Sequence, residues 1–175
     1  MEKKIQKQKS GDNSTNIQAG RDVNFIQVAQ SDEKDFGIID KIFKSVIKDL
    51  KLSDHGTDRE SIDLSKKIEI NFKDKDERER VQEYFKYAYT KISLIEKRIQ
   101  EESPEVQNDL QGHMFQRYKV LKDGRLSNLK ILENMFSQSI ISGKEDNPEY
   151  SNLTRAFILF FFDDCTIFEK TDSEK

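Results

Sequence analysis

The chain has 175 residues, of which 34% are hydrophobic and 36% are charged, and its formal net charge is -3. This length suits one ordinary domain with a short extension. The near-balanced charge argues against a strongly basic protein that binds nucleic acid or a membrane surface. Glycine and proline are scarce, with 7 and 2 residues, which favours long helices over a sheet rich in turns.

The single cysteine, Cys165, excludes an intramolecular disulfide and is typical of a protein in the reducing cytoplasm. The first residues lack the apolar core of a signal peptide. The longest apolar run covers residues 156–162 and is much shorter than the roughly 20 residues that span a bilayer. We therefore expect a cytoplasmic protein with no membrane segment, in which this run forms a helix buried on all sides.

Residues 1–31 differ from the remainder and are predicted to form a separate N-terminal segment. Lysines give it a basic start, which we interpret as a solvated tail. Residues 10–25 are rich in Asn, Gln, Gly and Ser and carry alternating apolar residues. Gly20-Arg21-Asp22 between the alternating pairs predicts a tight turn and hence a short β-hairpin. Because a lone hairpin is marginally stable in water, we expect it to pair with another strand, for example in copies of itself.

Residues 32–172 are predicted to form a helical interaction domain, because the apolar period changes there from two to 3.6. The first helix is expected over about 35–51. A polar linker follows over 52–64. The alternation in Ile68-Glu69-Ile70-Asn71-Phe72 predicts either a short strand or an extended lead into the next helix.

The later helices are predicted from their start and stop signals. Asp74 to Glu77 resembles a capping pair that opens a second helix over about 74–102. Ser103-Pro104 opens a third, because serine suits the N-cap and proline the first helical position, and Asp123-Gly124 ends it. Asn147-Pro148 opens the last helix. The fourth helix is expected to contain Leu126 to Ile140, and the fifth is expected to contain Leu153 to Ile167.

Short loops between amphipathic helices predict antiparallel neighbours. The predicted fold class is therefore mainly α, a helical bundle of four to five helices preceded by a short N-terminal segment resembling a β-hairpin. The Phe-rich last helix is expected at its centre.

No constellation of catalytic or metal-binding residues is apparent. One cysteine and two histidines far apart do not supply a zinc site, and phosphate-binding loops of the common glycine-rich kinds are absent. Cys165 follows Asp163 and Asp164, whose negative charge would suppress a reactive thiolate, so we interpret it as a packed helix residue. His113 has no visible catalytic partner. The sequence predicts no catalytic residue, no cofactor and no metal, and hence not an enzyme.

Three segments resemble known proteins. Residues 11–25, with the sequence GDNSTNIQAGRDVNF, resemble the N-terminal motif of many bacterial conflict-system proteins, including middle components of ABC three-component systems. Residues 160–170, FFFDDCTIFEK, resemble the end of helical interaction domains in the same systems, and residues 67–71 resemble their helix-entry motif. The resemblance implies a non-enzymatic adaptor in antiviral defence that links a sensor or ATPase to an effector.

A second resemblance leads to a different function. Ile17-Gln18-Ala19-Gly20 is similar to the core tetrad of the RIP homotypic interaction motif, although a larger aliphatic residue is usual at Ala19. Asn and Gln ladders stack well in cross-β structure. The alternative function is therefore amyloid-type signalling through the N-terminal segment.

These observations define two sets of candidate residues. The expected partners are other proteins, namely an ABC-type ATPase and an effector encoded nearby, together with further copies of the chain, whereas nucleic acid is disfavoured. The assembly motif, expected to form a homo-oligomer, comprises Asn13, Asn16, Ile17, Gln18, Gly20, Asp22, Val23 and Phe25. The candidates for partner docking are Phe160, Phe161, Phe162, Asp163, Cys165 and Phe168.

Overall fold

The computed structural model describes residues 32–52, 64–141 and 143–171, and within them the chain forms helices and no strand. The mainly helical fold class is confirmed for these ranges, whereas the predicted hairpin and assembly motif lie outside them. Six helices are described in place of the four to five expected: α1 Asp32–Leu52, α2 Leu64–Asn71, α3 Lys75–Gln100, α4 Pro104–Asp123, α5 Asn128–Gln138 and α6 Pro148–Asp163.

The predicted starts of three helices, α3, α4 and α6, are confirmed, and each has a side chain that caps free backbone N–H groups. Asp74 Oδ1 accepts hydrogen bonds from the backbone N–H groups of Asp76 at 2.8 Å and Glu77 at 3.3 Å. Ser103 caps α4 ahead of Pro104, and Asn147 caps α6 ahead of Pro148. These local signals fix where α3, α4 and α6 begin.

Residues 68–71 are the last turn of α2 and Phe72 follows directly after it, so the prediction of a strand or an extended lead was wrong. Ile68 and Phe72 are buried, whereas Ile70 is 38% exposed. Spacing by four therefore governs burial here, because residues four apart share one face of a helix. The buried face of α2 also includes Lys67 and Asn71, which are polar residues that an apolar pattern does not identify.

Helix α6 lies at the centre of the domain, as the sequence predicted. It packs most extensively against α3 and also contacts α1, α4 and α5. Every residue from Ala156 to Phe162 is buried. A helix enclosed by four others must be apolar on all faces, which explains the continuous run of aromatic and aliphatic residues.

Two predicted helices extended too far. Leu126 precedes α5 and Ile140 follows it. Ile167 was assigned to the last helix, but α6 ends at Asp163. Ile167 is nevertheless fully buried, because the chain turns back after α6 and lays residues 164–171, called here the C-terminal segment, against the domain.

Hydrogen bonds between side chains attach α1 to the rest of the domain. Arg98 on α3 forms an ion pair with Asp49 on α1. The hydroxyl of Tyr150 on α6 donates to Asp40 on α1 at 2.9 Å. Burial and this hydrogen bond together raise the pKa of Tyr150 to about 12.

The raised pKa of Tyr150 predicts a loss of stability at high pH. The folded state holds the phenolic proton more tightly than the unfolded state, whose pKa is near 10.0. The resulting contribution is present below the unfolded pKa and is lost as the pH rises through the folded pKa. About 1 kcal/mol of it is lost between pH 9 and pH 11, because the folded pKa lies above pH 11. Urea unfolding at about pH 9 and about pH 11 measures this loss. Tyr150→Phe should show a smaller fall between these two pH values, and an equal fall would contradict the assignment.

Candidate protein-docking site

The C-terminal end of α6 forms a tight hydrogen-bonded turn. The backbone N–H of Thr166 donates to the carbonyl of Phe161 at 3.1 Å, and that of Cys165 donates to the carbonyl of Phe162 at 3.3 Å. This is the Schellman arrangement, in which the residue after the C-cap adopts a left-handed conformation. Cys165 occupies that position with φ 64°, although glycine is usual there. The prediction of a cysteine within the helix was therefore wrong.

A buried lysine lies against this turn. Lys67 on α2 is 1% exposed, and its Nζ lies 2.9 Å from Cys165 Sγ and 3.4 Å from the carbonyl oxygen of Asp163, to both of which it donates. The same Nζ lies 5.3 Å from the centroid of the Phe162 ring. The carbonyls at a helix C-terminus carry partial negative charge, so the lysine ammonium is stabilised where α6 ends.

Asn71, one turn along α2 from Lys67, fixes the C-terminal segment by its amide. Its Oδ1 accepts from the backbone N–H of Glu169 at 2.9 Å, and its Nδ2 donates to the carbonyl of Glu169 at 3.0 Å. Nδ2 also donates to the carbonyl of Lys67 at 2.9 Å. The amide thus satisfies both backbone groups of Glu169, as a neighbouring peptide unit would.

Aromatic contacts complete the attachment of the C-terminal segment. The ring centroid of Phe168 lies 4.8 Å from that of Tyr118, 5.3 Å from that of Phe162 and 5.8 Å from that of Phe72. Such distances are favourable for aromatic pairs. Residues 67–71 and 160–170, which were singled out separately in the sequence, therefore pack against each other in the fold.

A surface recess lies between α4 and the C-terminal segment. Its volume is about 510 Å³, and one side is formed by α4 residues Asn108, Gln111, Gly112 and Phe115, whereas the other is formed by Asp164, Cys165, Thr166 and Lys170. Phe115 is 47% exposed. The lining therefore combines one accessible aromatic ring with amide, hydroxyl, thiol and charged groups.

One hydrogen bond joins the two sides of the recess, and a second lies within the C-terminal segment. Gln111 Nε2 donates to Asp164 Oδ2 at 3.3 Å, and Thr166 Oγ1 donates to the same oxygen at 3.2 Å. Because Asp164 accepts from both sides, its carboxylate holds the C-terminal segment against α4. The recess consequently has a defined shape before any partner is present.

The docking candidates predicted from the sequence occupy two different environments. Phe160, Phe161, Phe162 and Phe168 belong to the core, so we assign them a packing role, and direct docking by their rings stays a prediction. Asp163 and Cys165 are half-buried where α6 ends, and Cys165 lines the recess. The assembly motif lies outside the described residues.

Phe115, Asn108 and Gln111 were missed by the sequence analysis. The buried stripe of α4 consists of Leu110, Met114, Tyr118 and Leu121, and Phe115 lies beside this stripe. The position of Phe115 could have indicated a binding surface. An aromatic residue beside the buried stripe does not belong to the core, and such a residue is not expected on a face that only contacts solvent.

In residues 32–52, 64–141 and 143–171, no group of three or more His, Cys, Asp or Glu is placed to hold a metal ion. Within the same described ranges, no helix combines the length and apolarity needed to cross a membrane. Comparisons of the chain with protein-family models, curated proteins and solved structures found no match.

Proposed function

We propose that this chain is a non-enzymatic adaptor that assembles through its N-terminal motif and binds a partner protein in the recess between α4 and the C-terminal segment. The observation that carries the proposal is this recess, in which the half-exposed ring of Phe115 lies among polar side chains. Exposed aromatic residues with convergent polar groups are typical of binding sites.

The chemistry of the recess favours a segment of protein as its occupant. Phe115 offers an apolar surface to one side chain of the partner. Asn108 and Gln111 carry amides that can donate and accept, which suits the peptide groups of an extended or loop segment. Lys170 adds a positive charge at the edge, so an acidic residue in the partner segment would be favoured.

The resemblance of residues 11–25 and 160–170 to conflict-system proteins supports a more specific role. We place the adaptor in a bacterial antiviral defence system of the ABC three-component kind. Its partners would be an ABC-type ATPase and an effector encoded nearby. Residues 67–71 contact the C-terminal segment, which forms one wall of the recess. The resembling segments 67–71 and 160–170 would therefore act together in forming this wall.

The docking proposal predicts that Phe115→Ser weakens partner binding. The affinity-tagged full chain, expressed in its native host, should recover the neighbouring ATPase or effector, as identified by mass spectrometry. Phe115→Ser should reduce this recovery at least about tenfold, because a buried aromatic anchor commonly contributes 2 kcal/mol or more. Val120→Ser is the matched control, since Val120 is a similarly exposed apolar residue on α4, at 41%, outside the recess. Equal recovery by both variants would contradict the proposal.

The assembly proposal predicts that charges in the N-terminal motif disrupt oligomers. The full chain should exceed monomer mass in size exclusion with light scattering, and Ile17→Asp combined with Val23→Asp should return it to a monomer, because a charge on a paired apolar face opposes strand association. Ile5→Asp, outside the motif, is the control. A wild-type monomer at all concentrations would refute assembly. Fibrils with a roughly 4.7 Å cross-β reflection would favour the amyloid-type alternative.

A further inference from the structure

Lys67 and Cys165 form a pair to which the docking proposal gives only a structural role. Lys67 Nζ lies 2.9 Å from Cys165 Sγ, although 98 positions separate the two residues in the chain. Lys67 is 1% exposed, whereas Cys165 is half-buried and lines the surface recess. A small oxidant can therefore reach the cysteine from the recess. The Lys67 amine contacts the same sulfur from the buried side.

The surrounding contacts hold the two reacting atoms together. Lys67 Nζ is oriented by the carbonyl of Asp163 at 3.4 Å and by the ring of Phe162. Cys165 Sγ lies 3.6 Å from the same carbonyl oxygen. Groups held in reacting distance behave as if present at very high concentration.

We propose that Lys67 and Cys165 form a reversible covalent cross-link when the protein meets hydrogen peroxide. The sulfur first attacks the peroxide, the O–O bond breaks, and the products are a sulfenic acid on Cys165 and one water molecule. Lys67 Nζ then attacks the sulfur and displaces the hydroxyl as a second water molecule, and the proton lost by the ammonium passes to solvent. The sulfur is oxidised by two electrons, and the peroxide is reduced by two.

The product is a sulfenamide, an S–N bond between the two side chains. Sulfenic acids condense with nearby nitrogen or thiol groups when these are close enough. Among the described residues there is no second cysteine, and the full sequence contains only one, so an intramolecular disulfide cannot form. The lysine amine provides the alternative partner, and its capture of the sulfenic acid prevents irreversible oxidation to the sulfinic acid.

The cross-link would tie α2 covalently to the C-terminal segment. It closes a loop of almost a hundred residues, and such closure restricts the unfolded chain more than the folded one. The oxidised protein should therefore have a higher Tm, which returns to its starting value after treatment with a thiol reductant. This chemistry does not depend on whether the recess binds a partner.

The test exposes the full wild-type chain to hydrogen peroxide and maps its peptides by mass spectrometry. The expected product is a linked pair of peptides containing Lys67 and Cys165 that together have lost two hydrogen atoms and that separate on reduction with dithiothreitol. A linked pair that retains one oxygen also supports the cross-link. This product is an N–O–S bridge, which forms when a second equivalent of peroxide reacts and one more water is released. Peptide mapping is needed because the three methionines gain oxygen independently.

Two variants of the full chain provide controls. Cys165→Ser should form no link and show no change in Tm with peroxide. Lys67→Met removes the amine with little change in length, and its Cys165 should proceed to the sulfinic acid. The wild-type peptide map decides the question even if Lys67→Met fails to fold. Sulfinic acid on Cys165 without any linked peptide in the wild-type protein would overturn the proposal.

Discussion

Phe161→Ala is expected to lower the free energy of unfolding by about 3–5 kcal/mol. Phe161 is fully buried near the C-terminal end of α6, and its ring centroid lies 5.0 Å from that of Phe157 and 4.9 Å from that of Phe160. Alanine would remove the ring from this cluster and leave a cavity, because helices packed on all sides of α6 cannot close around a smaller residue.

Urea unfolding followed by far-ultraviolet circular dichroism measures this change, since the chain contains no tryptophan. Phe115→Ala is the matched control, because it deletes the same ring from a site that is 47% exposed. It should change the free energy of unfolding by less than about 1 kcal/mol. Equal losses for the two variants would show that the packing around α6 is not as described.

The comparison of Phe161→Ala with Phe115→Ala matters for function because it separates buried aromatic residues of the core from the exposed aromatic residue of the recess. Phe161 is expected to affect stability, and through stability the abundance of the protein. Phe115 is expected to affect partner binding while leaving the fold intact. A variant of Phe161 that loses a partner would therefore say little about docking unless its stability were measured as well.

The sequence predicted the helices well where local chemistry determines them. Asp74, Ser103 and Asn147 each cap a helix by bonding N–H groups within three residues, so the information is contained in a few adjacent positions. The central position of α6 was also predictable, because a run that is apolar on every face must be enclosed.

The sequence failed where burial depends on distant residues. Alternation around Ile70 resembled a strand, but a strand requires a partner strand and the described ranges contain none. Helix α2 instead buries Ile68 and Phe72, with Lys67 and Asn71 directed at a segment almost a hundred residues away. Nothing near Lys67 in the sequence indicates that its ammonium would meet the C-terminal end of α6.

The candidate site was predictable only in part for the same reason. Residues 160–170 were singled out, and Cys165 does line the recess. The chain reversal after α6 sends the Phe168 ring into the core, and the opposite wall comes from α4. Gln111 contributes to the recess because it donates a hydrogen bond to Asp164 on the opposite wall. The spacing of residues in the sequence does not reveal such a contact.

Asn71→Ala is expected to have the second largest effect, a loss of about 2–4 kcal/mol in the free energy of unfolding. Asn71 is 4% exposed and makes hydrogen bonds with both backbone groups of Glu169 and with the carbonyl of Lys67. Alanine would leave these groups without their partner, and each unsatisfied buried group costs about 1–3 kcal/mol. Because Glu169 is exposed, water can reach its backbone groups, which would reduce the total below the simple sum.

The same variant should release the C-terminal segment and thereby open one wall of the recess. Hydrogen exchange of residues 164–171 should become faster in Asn71→Ala, with little change in the helical backbone of α3. Asn128→Ala is an informative control, because Asn128 donates a single hydrogen bond to the carbonyl of Asn71 and does not touch Glu169. If partner recovery falls in Asn71→Ala but not in Asn128→Ala, the attachment of the C-terminal segment to α2 shapes the docking surface. Equal rates of hydrogen exchange in residues 164–171 of both variants would contradict this role of Asn71.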